Sequence, residues 1–126
     1  MIELLPAPDQ VLAYRLLGPA GPDGYDLLTA QAERQLAGRP LAGVVADATD
    51  FAGAGPEAMM RDVRLGLSRL HAWRGFRRAA LVTDRAWLKA LVGLDPLVPD
   101  LEARAFAPEE RATAIAWAAG EQPPLP

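Results

Sequence analysis

Between Leu41 and Leu91 the chain alternates short apolar runs with longer amphipathic ones, and this alternation restricts the fold more than any other feature. Leu41–Asp47 is apolar on both faces, as a central parallel strand covered on two sides should be. The stretch Thr49–Gly55, with glycines at 53 and 55, breaks that run. From Pro56 a helix is predicted, because Met59, Val63, Leu67 and Leu70 recur at i, i+4, i+8 and i+11. Arg61, Asp62, Arg64 and Arg69 lie mostly elsewhere on it. Arg78–Asp84 is a second apolar strand, and a further helix follows with Asp84 as N-cap and Trp87, Leu88 and Leu91 buried. Parallel neighbours need a long crossover, so this order implies a parallel sheet in an α/β fold.

The flanks extend the same sheet. Ile2–Leu5 and Val11–Leu17 read as strands joined by the Pro6–Gln10 turn, an antiparallel hairpin. A helix opens with Pro22 at its first position and Asp23 in its first turn, and buries Tyr25, Leu28, Ala32 and Leu36. Gly38 and Pro40 stop it. Gly93–Asp100 reads as a loop, Ala103–Phe106 as a last strand, and Pro108-Glu109-Glu110 opens a helix to about Ala119. One domain over residues 1–120 and a proline-rich tail over 121–126 are expected, giving a mixed sheet with helices packed on it.

Composition excludes several classes of function. At 126 residues, 51% apolar and 23% charged, the chain is globular rather than disordered. A net charge of −3 gives no reason to expect nucleic acid. No apolar run is long enough to span a membrane, and Met1–Pro6 lacks the pattern of a secretory signal. Without cysteine there is no disulfide, thiol nucleophile or thiolate metal site, which fits a cytoplasmic location.

Several residues, in this order, resemble the SpoIIAA-like (STAS-type) family, closest to its small stand-alone bacterial members and distantly related to CRAL-TRIO lipid-binding domains. They are the Met1–Leu5 strand, Val11–Tyr14, Asp47 with Asp50-Phe51, Leu65-Gly66-Leu67, and Val82-Thr83-Asp84 followed by Trp87. The resemblance covers residues 1–119. It implies a regulatory module in which a serine at the start of the second helix is phosphorylated to control partner binding. Here the only serine is Ser68, three turns into that helix, and Thr49 is the nearest hydroxyl, flanked by Asp47 and Asp50. A phosphate between two carboxylates is unfavourable unless an arginine offsets it. Thr49 and Asp50 otherwise serve as formers of the turn.

Two groups of residues carry the functional expectation. The first is a ligand or partner loop at the carboxyl edge of the sheet, where open α/β sheets bind ligands: Asp47, Thr49, Asp50, Phe51, Gly53, Gly55, Thr83 and Asp84. Asp47 and Asp84 end adjacent strands, so their carboxylates could meet there, although caps and turns explain them more simply. The second is a partner or apolar surface of Met59, Met60, Arg61, Arg64, Leu94, Leu97 and Val98. Arg61, Arg64, Arg69, Arg74, Arg77 and Arg78 cluster around Trp73 and Phe76 with only Asp62 opposing. Such a segment suits an acidic partner or anionic lipid, or else the aromatics pack under the helix end and the arginines are solvated. Leu91, Val92, Leu94, Leu97 and Val98 make an apolar stretch that either folds over the core or marks self-association or a greasy ligand.

Catalytic templates are not met. Ser68 and His71 share a helix without an orienting acid. Gly53-Ala54-Gly55 lacks the third glycine of a dinucleotide loop and any Gly-Lys-Ser/Thr. A receiver-like phosphoaspartate site lacks its acidic pair and its lysine. His71, the single histidine, is expected to lie partly exposed near a helix end. No cofactor or metal is expected. The reading is a non-catalytic interaction module, expected to be a homodimer or to bind a protein partner; the alternative is a carrier of a small apolar or lipid-like ligand.

Overall fold

Ile2–Leu5 (β1) and Val11–Leu16 (β2) form the expected hairpin, with Ile2 opposite Leu16 and Leu5 opposite Ala13. Gly43–Asp47 (β3), Arg78–Val82 (β4) and Glu102–Phe106 (β5) follow, each parallel to its predecessor. The sheet order is β1-β2-β3-β4-β5. The computed structural model describes residues 2–8, 10–53, 55–94 and 100–120, and only the backbone of 91–94. Leu97, Val98 and the tail Glu121–Pro126 therefore lie outside the described residues, and so do the side chains of Leu91, Val92 and Leu94.

The order of the strands decides where the helices go. The parallel strands are added in one direction, and right-handed crossovers then place every connecting helix on the same face. Gly21–Leu36 (α1), Pro56–Arg74 (α2) and Ala86–Leu94 (α3) make these connections. Tyr25, Leu28, Val63, Leu67, Leu70 and Leu88 bury that face against Leu12, Tyr14, Val44, Ala46 and Leu81. After β5 the chain makes one 3-10 turn, Pro108–Glu110, and crosses to the opposite face as Arg111–Ala118 (α4). There Ala114, Trp117 and Ala118 cover Val11, Ala13, Val45, Ala80, Val82 and Phe106. All five residues of β3 are consequently buried.

Two glycines set the close approaches. A β-carbon at Gly43 would lie 2.1 Å from the Ala118 carbonyl oxygen, so α4 rests directly on β3. One at Gly66 would lie 2.2 Å from the Tyr25 ring, which crosses α2 at that point. Both are positions that only a missing side chain permits.

The expected boundaries shift by one or two residues, with one change of role. Leu41 is buried, but the ladder starts at Gly43. Beyond Val82, Asp84 is not the cap of α3. Lys89 N–H donates to Arg85 O (3.2 Å), so Arg85 holds the cap position, and Arg85 N–H donates to Thr83 Oγ1 (3.1 Å). Asp84 is exposed. The buried hydroxyl closes this turn and the exposed carboxylate does not. The expected loop from Gly93 begins later, since α3 runs through Leu94.

Candidate functional site

The carboxyl edge of the sheet is occupied by a braced loop. Asp47, at the end of β3, is 1% exposed. Its Oδ1 accepts from Thr49 N–H (3.0 Å), closing an Asx turn, and its Oδ2 accepts from the Arg111 guanidinium at the start of α4. Arg85 clamps the other side, donating to the carbonyls of Ala48 (3.2 Å) and Phe51 (2.9 Å). Phe51 is buried in the core under this clamp. Asp50, Gly53 and Gly55 form the exposed rim.

Several sequence expectations change here. The Asp47 and Asp84 carboxylates have different fates, one buried on Arg111 and the other exposed. Among the described residues no three ligating side chains gather as a metal site would require. Thr49 shapes the turn through its backbone N–H, while its buried hydroxyl has no hydrogen-bond partner among the described residues. Thr83 is fully buried and belongs to the α3 turn. At the start of α2, where the family's serine is expected, the N-cap is Gly55, followed by Pro56. Ser68 is exposed in mid-helix.

The second expected surface divides in two. An open groove of about 400 Å³ lies between the first half of α2 and α3, lined by Pro56, Glu57, Met60, Arg61, Arg64 and Trp87. Arg61 and Arg64 are exposed, and Met60 and Trp87 are half-buried. Neither arginine makes an ion pair or hydrogen bond among the described residues. Met59 is not part of this surface. It is 2% exposed, because the helical turn that directs Met60 outward directs Met59 into the core.

The second half of α2 uses its arginines internally. Arg69 pairs with Asp26 at 3.1 Å and Arg74 with Glu33 at 2.8 Å, both on α1. Trp73 Nε1–H donates to the same Glu33 carboxylate (2.7 Å). Phe76 is buried, and half-buried His71 packs edge-on against it with centroids 5.6 Å apart. Arg78 donates to Trp117 O (3.0 Å) and lies over that indole ring. The aromatics pack under the helix end as one sequence reading held, but Arg69, Arg74 and Arg78 are paired rather than simply solvated.

Asp62 is the residue that sequence reading misplaced. Instead of opposing the arginines it is 6% exposed and faces α1. It accepts from Ala20 N–H (3.1 Å), Gly21 N–H (3.0 Å) and Tyr25 O–H (3.1 Å). It thus caps the N-terminus of α1 from another helix, where the N-cap residue Ala20 supplies no side-chain bond. Burial pushes the Tyr25 hydroxyl far above the usual phenol range, with Tyr14 and Asp62 adding to it. Tyr14 is raised by burial and then by Asp62. A signal was present: Asp62 and Gly66 sit three and seven residues after Met59, on the edge of the apolar stripe, and the small Gly66 marks a close approach.

A hairpin-led mixed sheet, three crossover helices on one face and one helix on the other define a STAS-type α/β domain. The SpoIIAA-like family model matches residues 11–119, and the chain belongs to the SpoIIAA-like family. Among solved structures it is similar to an uncharacterized protein with a SpoIIAA-like fold from Shewanella loihica PV-4. The two are 24% identical, with 94% of this chain and 92% of that one covered and a TM-score of 0.60. No curated protein matches the chain. Among the described residues, no helix is long and apolar enough to cross a membrane.

Proposed function

We propose that this SpoIIAA-like domain is a non-catalytic interaction module that docks a protein partner in the groove between α2 and α3. The observation that carries the reading is the pair Arg61 and Arg64, exposed and unpaired among the described residues beside Met60 and Trp87. Arginine and tryptophan around a partly apolar pocket are the side chains that dominate binding energy at protein interfaces.

The carboxyl edge supports a binding role over a catalytic one. Asp47 and Arg85 are committed to bonds that hold the loop before α2 in shape, and Thr83 to the turn before α3. With Gly55 and Pro56 at the helix start, docking on this surface operates without the hydroxyl switch of the regulatory members. The space beneath α2 is filled by Met59, Val63, Leu67 and Leu70, which favours a surface partner over an apolar ligand held inside.

Native mass spectrometry of freshly purified protein separates the two readings. The interaction module predicts the mass of the chain, alone or in a protein complex, with no small-molecule adduct. A stoichiometric fatty acid or phospholipid would move the assignment to a carrier.

A further inference from the structure

We propose that the α2–α3 groove recognises a short acidic peptide segment that carries one apolar side chain; this rests on the interaction reading above and names the partner's chemistry. Arg61 and Arg64 are three residues apart on α2, which places them side by side about 5–6 Å apart at their β-carbons. Two planar guanidinium groups at that spacing match two carboxylates, each able to take a bidentate pair. Neither forms an ion pair with an acidic side chain among the described residues. Arg69, Arg74 and Arg78 on the same face of the sheet or beside it all have acidic partners within the chain.

The rest of the groove selects what accompanies the charge. Met60 and Trp87 present half-buried apolar surface beside the arginines, and a flexible thioether adapts to a single inserted side chain. Glu57 lies one turn before Arg61 and lines the same groove. It repels a carboxylate at the N-terminal end of α2, so the acidic residues of the peptide align with Arg61 and Arg64 only. A volume of about 400 Å³ suits a few side chains. A broad anionic membrane fits less well, because the chain carries a net charge of −3 and Glu57 stands in the groove beside the two arginines.

The test is fluorescence anisotropy with three probes at low salt: a labelled Asp/Glu-rich decapeptide containing one leucine, its Asn/Gln counterpart, and vesicles containing phosphatidylserine. The acidic peptide is expected to bind, and its amide counterpart to bind about ten-fold more weakly, the combined contribution of two partly exposed ion pairs. The R61E/R64E variant should lose the acidic peptide by at least about ten-fold, keep its unfolding midpoint, and gain affinity for a Lys/Arg-rich version of the peptide. Equal affinity for the acidic and amide peptides overturns the proposal, as does no binding of either near ~1 mM, the weak end of specific association. Vesicle binding that depends on Arg61 and Arg64, without peptide binding, assigns the groove to a lipid surface instead. If cross-linking from Met60 still captures a protein while the acidic peptide fails, the acidic chemistry falls and the interaction reading stands.

Discussion

The two halves of α2 carry similar side chains and use them differently. In the C-terminal half, Arg69 and Arg74 reach Asp26 and Glu33 on α1, and Trp73 shares the Glu33 carboxylate. In the N-terminal half, Arg61 and Arg64 make no ion pair or hydrogen bond among the described residues, although Glu57 lines the same groove, and they stand beside Met60 and Trp87. Between them Asp62 and Gly66 face α1 and lock the helices together through Tyr25. An arginine-rich, aromatic-containing helix is therefore not one surface. Where a second helix supplies carboxylates the charges hold the fold together, and where none does they remain for another molecule.

Substitutions should separate the two halves by what they damage. The largest loss of stability is expected from Asp62→Ala, which leaves Ala20 N–H and Gly21 N–H without their acceptor and reduces the Tyr25 hydroxyl to its bond with the Asp62 backbone carbonyl (3.2 Å). Denaturant unfolding should show a loss of about 3–4 kcal/mol. A loss below about 1 kcal/mol, the scale of an ordinary surface change, would mean that this seam does not hold α1 to α2. A smaller effect belongs to the paired arginines: a double-mutant cycle on Arg74→Ala and Glu33→Ala should give a coupling of about 1 kcal/mol, since the pair is half-exposed. The smallest effect on stability is expected in the groove, where Arg61→Ala and Arg64→Ala should leave the unfolding midpoint essentially unchanged. A coupling of the same size between Arg61 and any acidic residue would erase the contrast between the halves.

The seam also has a pH signature. Tyr14 and Tyr25 have raised pKa values in the fold, so they stay protonated while the unfolded tyrosines ionise near pH 10. The native state then binds more protons than the unfolded one. Stability contributed by these groups is fully present below about pH 10 and falls as pH rises beyond it. Unfolding curves from pH 8 to 11 should show this fall, and Tyr14→Phe should make it shallower. Because the Tyr14 hydroxyl is buried without a partner among the described residues, that substitution should cost nothing near neutrality.

The sheet was legible because parallel pairing imposes long crossovers, and those leave a repeating pattern of strand and helix lengths. Leu41–Asp47 and Ala79–Val82 could be little else than central strands. Strand ends were less legible: Leu41 is as apolar as its neighbours, yet the ladder starts at Gly43, where the chain can lie under Ala118. The groove was half legible. Met60, Arg61 and Arg64 were visible on α2, but Trp87 read as a core residue because α3 is apolar on most sides. Charge pairing was not legible at all. Nothing in the local sequence distinguishes Arg64 from Arg69, since the difference lies in Asp26, which comes 43 residues earlier in the chain than Arg69. Asp62 shows the same limit, because a carboxylate on an amphipathic helix reads as solvated until another helix brings it unsatisfied N–H groups.

The central claim is that the open half of α2 is the docking surface. A photo-crosslinking amino acid placed at Met60, compared with one at exposed Leu27 on α1, tests it directly in cells of the source organism. The account predicts a discrete protein adduct, larger than the chain by a mass other than its own, at position 60 and not at 27, and its loss in the R61E/R64E background. No adduct at Met60, equal labelling at both positions, or an adduct of two copies of this chain would contradict it, whereas an adduct at Met60 that survives R61E/R64E would overturn only the acidic chemistry.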